Sequence, residues 1–244
     1  ALALRNLVDS MERSQAQDRI NYLSKELTKH NRLYYELDAP EISDPSFDAL
    51  LKELIDLETK FPEFKLPDSP SQRVGGEITR KFNVVAHKRP MQSLDNTYSP
   101  EELRDFDRRV RETLGQAAAY VCEPKIDGVA ISLHYKKGVL QQAITRGNGL
   151  EGDEVTANVK TIRSIPLRIT GDDLPEELEV RGEIFMPKSV FEQLNHETRN
   201  TLLDEGLDEE QIQDRLWKNP RNTASGTLKL QDSALVAKRK LEAF

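Results

Sequence analysis

The spacing of apolar residues changes once along this chain, and that change limits the possible folds more than any other feature. Between residues 14 and 37 they recur every three or four positions, as on one helix face, at Ile20, Leu23, Leu27, Tyr34 and Leu37. A second stripe of this kind lies at Phe47, Leu50, Leu51, Leu54 and Leu57. Beyond residue 118 the apolar residues alternate or are β-branched, which is typical of strands. The pattern predicts a small helical part followed by a part built on β-sheet.

Capping residues predict where the two helices begin. Ser14, with Gln17 three residues later, has the sequence of a capping box. Asp44 is the predicted cap of the second helix, and Pro45 suits its first helical position. We expect this helix to run as far as Phe61.

Residues 62–76 are rich in Pro, Ser and Gly and have no period, which is typical of a connection between domains. We therefore predict a helical domain at residues 1–70 and a second domain at residues 71–244. A chain of 244 residues is long enough for each of them to bury its own core.

The second domain is predicted to be α+β with a mainly antiparallel sheet. After a loop at residues 90–96, Ser99 opens a helix that Gly115 closes. Strands are expected at residues 119–122, 129–135, 139–145 and 178–186, and helices at residues 154–162 and from Pro187 past Leu203. Lys137 and Gly138 form the predicted hairpin turn. Strands that come in hairpins, rather than alternating with helices, favour antiparallel pairing.

Composition excludes several classes of protein. No apolar run approaches the length of a membrane span, and we expect a cytoplasmic protein without a secretory signal. The single cysteine, Cys122, allows neither an internal disulfide nor a cysteine zinc site. A net charge of −7 argues against chain-wide affinity for nucleic acid, so any DNA-binding surface must be local. Two basic clusters are candidates, although short basic runs are usually solvated faces: Arg108, Arg109 and Arg111, and Lys238, Arg239 and Lys240.

Lys125 is the first candidate for chemistry, because Lys125-Ile126-Asp127-Gly128 lies between two strand-like runs. A lysine at a strand end or tight turn can direct its amine into a cleft. To attack phosphorus the amine must be unprotonated, which a partly desolvated pocket with cationic neighbours favours. The tetrapeptide alone is equally well a plain turn, since Asp-Gly is a favoured turn pair.

Two charged residues downstream are candidate partners of this lysine. Arg146 lies in Thr-Arg-Gly-Asn-Gly directly after a predicted strand, where glycines let the backbone approach a ligand closely. Glu183 interrupts the apolar alternation of another strand in Glu-Val-Arg-Gly-Glu. A buried carboxylate needs a partner. A ribose hydroxyl or a metal-bound water would serve, and a salt bridge to a core arginine is the alternative.

The order of these motifs, followed by Asn-Pro-Arg-Asn at residues 219–222, resembles the bacterial NAD-dependent DNA ligases, and the resemblance extends from Tyr34 to Arg239. Such enzymes take AMP from NAD onto a lysine, releasing nicotinamide mononucleotide. They pass AMP to the 5′-phosphate of a DNA nick, which the 3′-hydroxyl then seals, in replication and repair. The resemblance implies a helical nicotinamide mononucleotide-binding domain followed by a nucleotidyltransferase domain of ATP-grasp-like ligase type, incomplete at its C-terminus.

The resemblance also implies a role for individual residues. Lys125 is the expected nucleophile, and Asp127 shapes its loop. The residues expected to bind the nucleotide are Tyr34, Tyr35, Asp44, Phe47, Asp48, Ser93, Leu94, Glu123, Lys125, Arg146 and Glu183. Arg221 and Lys229 are expected to face phosphate or DNA.

The expected binding residues of the helical part bear on whether NAD or ATP is the donor of AMP. Asp44 and Asp48 lie four positions apart, which places both carboxylates on one helix face beside aromatic rings. Such a face suits a cationic nicotinamide ring, and a helix cap with a favourable dipole charge is the plain alternative. Tyr35 stands where the family has histidine and Phe47 where it has tyrosine, so each keeps a ring but loses a polar group.

Two departures limit the resemblance. Lys229 stands where the family usually has arginine, which retains the charge without the bidentate fork. The chain also ends at Phe244, before the family's later adenylation lysines, oligonucleotide-binding barrel, cysteine zinc site and DNA-encircling domains. We expect a fragment that does not seal nicks, and whether it still accepts AMP stays open.

The expected ligands are NAD and Mg²⁺, which bridges phosphate oxygens with few protein ligands. Zinc is expected only in the missing C-terminal part. The expected partner is nicked double-stranded DNA, with no membrane, and the protein is expected to be a monomer. An ATP-dependent ligase or an RNA-capping guanylyltransferase, which share the lysine motif, is the rival enzyme. A catalytically silent nucleotide- or DNA-binding module is the rival from another class.

Overall fold

The computed structural model describes residues 13–35, 41–74 and 81–244, without the side chains of Tyr34, Tyr35 and Asp44. The described helices are α1 (Arg13–Tyr35), α2 (Asp44–Lys60), α3 (Pro100–Leu114), α4 (Thr156–Val159), α5 (Lys188–Asp204), α6 (Glu209–Arg215), α7 (Pro220–Leu228) and α8 (Ser233–Lys238). The described strands are β1 (Val84–Ala86), β2 (Val129–Lys136), β3 (Val139–Thr145), β4 (Glu151–Asp153), β5 (Glu177–Phe185) and β6 (Glu242–Ala243). The predicted α+β class is confirmed.

Helices α1 and α2 pack against each other through residues of the two predicted stripes, of which Leu37 lies outside the described residues. The buried residues of this helical core are Ala16, Ile20, Leu23, Leu27, Leu54, Leu57 and Phe61. Each large side chain that leaves water here contributes about 1.5–3 kcal/mol. Arg19 of α1 also donates two hydrogen bonds to the buried carboxylate of Glu53 in α2, at 2.6 and 2.8 Å. The apolar pattern thus predicted this helix pair correctly.

The predicted caps of both helices were wrong by one or more residues. Helix α1 already includes Arg13, so Ser14 lies within it and does not cap it. The cap of α2 is Ser43, with extended backbone, whereas Asp44 is the first helical residue. Pro45 is therefore the second helical residue. Proline is tolerated there because the first N–H groups of a helix have no intrahelical partner.

The predicted linker is more ordered than its composition indicated. It contains two 3₁₀ turns, Pro62–Phe64 and Pro70–Val74. The buried carboxylate of Glu58 in α2 accepts hydrogen bonds from the hydroxyls of Ser69 and Ser71, both at 2.5 Å. On the other side, Asp68 pairs with Arg168. Residues 62–74 are thus fastened to both parts of the chain.

The central sheet is antiparallel with strand order β3-β2-β5-β6, and β1 pairs with β4 in a second, two-stranded sheet. Lys137 and Gly138 turn the β2–β3 hairpin with φ of 49° and 75°, so the predicted turn is confirmed as one with two left-handed residues. A Cβ on Gly138 would lie 2.4 Å from the Ile169 carbonyl oxygen, so the turn requires glycine.

The two faces of this sheet have different characters. Alternate residues of β2, Ile131, Leu133 and Tyr135, are buried in a core to which α4, α7 and α8 contribute. The residues between them point to the opposite face. Because directly opposed residues of an antiparallel pair share a face, Ala130 lies beside Glu183 there.

Several elements of the second domain were not predicted from the sequence, and one predicted strand does not form. Residues 119–122 form no strand; they belong to an irregular stretch at residues 116–127, here called the lysine segment. The missed elements are β1, β4, β6, α6, α7 and α8. None of the described helices is both long and apolar enough to cross a membrane.

Candidate active site around Lys125

Lys125 lies in the lysine segment, three residues before the glycine at which the chain enters β2. Its side chain is exposed, as are those of Glu123 and Asp127. Within the described part of the chain, no side chain forms a hydrogen bond or ion pair with the Lys125 amine. The amine is therefore available to a ligand.

The end of the lysine segment is fixed to two other elements. The Gly128 N–H donates to Glu183 Oε1 at 3.0 Å, and a Cβ on Gly128 would lie 2.1 Å from the Ile184 carbonyl oxygen. Asp127 pairs with Arg221 of α7 at 3.0 Å. Only glycine can approach β5 this closely, and this approach sets where Lys125 stands relative to Glu183.

Glu183 is half-buried, and its described partner is a backbone amide rather than an arginine. The core salt bridge considered as an alternative is therefore absent among the described residues. Arg181, two residues earlier on the same face, pairs with Glu179 instead. One oxygen of Glu183 accepts from Gly128, directly after the lysine segment, and no described group donates to the other.

Arg146 follows β3 and is held by its backbone. Its N–H donates to the Ala130 carbonyl at 3.0 Å, and its own carbonyl accepts from His87 Nε2 at 3.2 Å. Its guanidinium donates to Ser93 Oγ at 3.0 Å. Since Ala130 is directly opposed to Glu183, Arg146 and Glu183 are anchored on either side of the same β2 residue.

Beside Arg146 is an open hollow of about 420 Å³, lined by residues 90–93 and 148–150. Ligand pockets of small molecules start at roughly 300 Å³. The two walls are joined by a hydrogen bond from the Met91 N–H to the Gly149 carbonyl at 2.8 Å. Gly147 and Gly149 have φ of 55° and 92°, which explains the glycines of this loop. Ser93 lines the hollow, whereas Leu94 lies just beyond it and is 76% exposed.

The two predicted phosphate-binding cations lie at opposite ends of α7. Its N-cap, Asn219, accepts from the Asn222 N–H at 2.8 Å, and Arg221 follows in the first turn. Lys229, at the other end, pairs with Asp153 at 2.7 Å. Together with the Asp127 contact of Arg221, these pairs connect α7 to the lysine segment and to β4.

The predicted residues of the helical part are only partly described. Tyr34 and Tyr35 are the last residues of α1 and Asp44 is the first of α2, and their side chains lie outside the described residues. Phe47 packs against the helical core, and Asp48 is exposed. No contact within the described part of the chain joins Asp48 to Lys125 or Arg146.

Some residues of the two basic clusters form ordinary structural contacts. Arg108 and Arg111 form ion pairs with acidic residues of their own helix, α3. Arg239 lies over the Trp217 ring, 4.9 Å from its centroid, and donates to Thr227 Oγ1 at 3.0 Å. Neither observation requires DNA.

Comparison with known proteins places both parts of the chain. Residues 13–75 match the model of the DNA ligase-like N-terminal NAD+-binding domain, and residues 79–244 match that of the NAD-dependent DNA ligase adenylation domain.

Similar proteins include the DNA ligase of Cytophaga hutchinsonii, 53% identical over 96% of this chain and 33% of that protein. They also include the DNA ligases of Brevibacillus brevis (49% identical, 96% and 33%) and Chlorobaculum tepidum (50% identical, 95% and 34%). The chain spans about a third of the length of these relatives. This chain therefore belongs to the NAD-dependent DNA ligase family, of which it carries the N-terminal NAD+-binding domain and the adenylation domain.

Proposed function

We propose that Lys125 accepts AMP from NAD in the first step of DNA nick sealing. The observation that carries the proposal is the exposed Lys125 amine, unpaired among the described residues, three residues from a glycine fixed to Glu183. The amine nitrogen attacks the α-phosphorus of NAD, an N–P bond forms, and nicotinamide mononucleotide leaves with the bridging oxygen. The proton of the amine passes to solvent.

The later steps move the same adenylyl group. An oxygen of the 5′-phosphate at a nick attacks the phosphorus, the N–P bond breaks, and the lysine amine regains a proton. The 3′-hydroxyl then attacks the 5′-phosphate and AMP leaves. Phosphoryl transfer needs positioning and charge stabilisation more than acid–base chemistry, which suits a site of fixed cations and carboxylates.

Each remaining residue has a proposed position around the nucleotide. The Arg146 guanidinium faces the α-phosphate, and the unpaired oxygen of Glu183 accepts from a ribose hydroxyl. The adenine base lies in the hollow of residues 90–93 and 148–150, and the residues proposed to surround it are Ser93, Leu94 and Glu123. Asp127 holds the lysine loop through Arg221. Arg221 and Lys229 exchange their carboxylate partners for phosphate or DNA.

Mg²⁺ is proposed to accompany the phosphates and to neutralise their charge. Among residues 13–35, 41–74 and 81–244, no group of three or more His, Cys, Asp or Glu side chains could hold a metal ion. A magnesium ion held mainly by phosphate and water needs few protein ligands, so it would be bound chiefly by the nucleotide phosphates.

The helical part is proposed to bind the nicotinamide mononucleotide half, which makes NAD rather than ATP the donor. The residues concerned are Tyr34, Tyr35, Asp44, Phe47 and Asp48. We propose the division into residues 1–70 and 71–244 on this basis. The whole ligase is proposed to be a cytoplasmic monomer that acts on nicked double-stranded DNA in replication and repair, with zinc in its C-terminal part.

The test uses NAD labelled in its adenylate half. This chain is assayed alone and in a chimera. In the chimera it replaces the corresponding first third of the Cytophaga hutchinsonii DNA ligase. We expect the chimera to take up label and Lys125→Ala and Lys125→Arg to take up none. Label on either variant would contradict the proposal. Labelling from ATP or GTP but not NAD would favour the rival enzymes, and reversible binding without any mass gain would favour a silent module.

The role of the helical part has its own test. Asp48→Ala in the chimera should weaken the use of NAD at least about tenfold, because a charged contact to the ligand is lost. It should leave the sealing of already adenylated DNA unchanged. The matched control is Asp56→Ala on the same helix. Equal loss in both steps would remove Asp48 from nicotinamide recognition.

A further inference from the structure

The sheet face that carries Glu183 also carries a row of polar residues with no role in the reaction described above. Register places Ser132 opposite Arg181 and His134 opposite Glu179, so all four lie on one face of β2 and β5. Ser132 is fully buried and donates to Glu179 Oε1 at 2.9 Å. The row is thus anchored in the sheet.

Arg181 uses all three nitrogens of its guanidinium in this row. Its Nε donates to Glu179 Oε1 at 2.8 Å. Its Nη1 donates to the Pro90 carbonyl at 3.0 Å and its Nη2 to the Arg89 carbonyl at 2.7 Å. One side chain therefore connects the middle of β5 to two consecutive backbone carbonyls some ninety residues earlier in the chain.

Those carbonyls mark the start of the wall that lines the hollow. Residues 90–93 form that wall, and they are held at two further points: Met91 by the Gly149 carbonyl, and Ser93 by the Arg146 guanidinium. Without Arg181, the beginning of the wall would lose its described hydrogen bonds to the sheet. Ser93 and, through its hydroxyl, the Arg146 guanidinium are thus linked to this attachment.

We propose that Arg181 is a positioning residue for the adenylate half of the nucleotide donor. It acts through residues 89–93 and does not itself touch the nucleotide, and this role rests on the proposed function. The planar fork of arginine matches two adjacent carbonyls and one carboxylate at once, which the point charge of lysine does not. Arg181 therefore determines how tightly NAD is held rather than how fast the bound NAD reacts.

The test compares Arg181→Gln and Arg181→Lys with the matched control Arg199→Gln. Arg199 forms an exposed ion pair with Glu209 away from the site. The first readout is hydrogen exchange of the Met91 amide, which we expect to become about tenfold faster in Arg181→Gln and unchanged in the control. This readout requires no activity.

The second readout is the rate of adenylation as a function of NAD concentration, in the chimera defined above. In Arg181→Gln the half-saturating NAD concentration should rise about tenfold while the maximal rate changes less than about threefold. Arg181→Lys should recover only part of the loss.

Two results would overturn the inference. One is an unchanged half-saturating NAD concentration in Arg181→Gln. The other is a loss of maximal rate that parallels a loss of folded protein. If the wild-type chimera takes no AMP from NAD, the proposed function fails, and hydrogen exchange alone decides whether Arg181 holds the wall.

Discussion

The lysine segment and the strands that follow it differ in how they are held. Strands β2, β3 and β5 bury Ile131, Ile144 and Ile184 almost completely. Antiparallel ladders join them, with one register shift between β2 and β3 at His134 and Tyr135. In the lysine segment Val121 is 88% exposed, and no residue belongs to a described strand or helix. The proposed nucleophile lies in the less supported region. The residues proposed to bind phosphate and ribose, Arg146 and Glu183, lie at the end of β3 and on β5. Strands β2, β3 and β5 are here called the framework.

The lysine segment is nevertheless attached near both ends. Tyr120 donates to Asp107 of α3 at 2.8 Å, and its ring lies 6.2 Å from that of Phe106. At the other end, Gly128 and Asp127 bind β5 and α7. Segments with few buried contacts open at low free-energy cost, so an amine between two attachments can move toward a substrate while the framework stays in place.

The largest effect is expected where the two regions meet. Gly128→Ala places a Cβ 2.1 Å from a backbone oxygen of β5, so the strand and the lysine segment must separate. We expect a loss of about 4 kcal/mol of unfolding free energy and of nearly all adenylation. Urea denaturation and label uptake measure the two losses.

The control for Gly128→Ala is Gly226→Ala. Gly226 lies within α7, and a Cβ there would meet nothing within 4 Å. That change should stabilise the protein by about 0.4–1 kcal/mol. Similar behaviour of the two alanine variants would show that β5 and the lysine segment are not in close contact.

The second prediction compares the two regions directly. Ile131→Ala removes a fully buried side chain from the sheet core and should cost about 3 kcal/mol of unfolding free energy. Val121→Ala removes an exposed side chain and should change it by less than about 0.5 kcal/mol. Urea denaturation of both variants tests the contrast. Equal losses would mean that the lysine segment is packed as tightly as the framework.

A change at Glu183 should separate chemistry from folding. In Glu183→Gln the amide oxygen can still accept the Gly128 N–H, so the unfolding free energy should fall by no more than about 1 kcal/mol. Adenylation should fall at least about tenfold, because the negative charge facing the ribose is lost. A variant with wild-type adenylation would remove Glu183 from the nucleotide site.

The smallest effect is a pH dependence on the framework face. Burial lowers the pKa of His134 below its ordinary value, Lys88, His87 and Arg181 act in the same direction, and Glu179 opposes them. Folding therefore favours the neutral ring, and the stability it contributes is lost as pH falls below about 6.5, the ordinary pKa of histidine. His134→Gln should lose less stability than wild type between about pH 7 and pH 5. Urea denaturation at each pH measures the unfolding free energy. An equal change of this free energy with pH in the two proteins would contradict the prediction.

Sequence patterns predicted the long elements because the spacing of apolar residues within each of them indicates its type. Ile20, Leu23 and Leu27 define one helix face by themselves, and Lys137-Gly138 has the residues that its turn requires. The three-residue strand β1 has no such period, since it is a strand only through pairing with β4 more than sixty residues later.

Other elements were missed for different reasons. The start of α7 could have been found, because Asn219-Pro220 in the Asn-Pro-Arg-Asn motif is a helix-start signal. Arg181 lies in the Glu-Val-Arg-Gly-Glu motif, but its partners are backbone carbonyls that leave no trace in the sequence. The strand expected at residues 119–122 has strand-like residues but no described partner strand, and composition does not supply one.

Lys125 is proposed to carry the adenylyl group. The most direct measurement is mass spectrometry of the chimera after NAD treatment, first on the intact protein and then on its peptides. We expect a mass gain of one adenylyl group, located on Lys125, and no gain in Lys125→Arg. An adenylyl group on any other residue, or a mass gain that persists in Lys125→Arg, would contradict it.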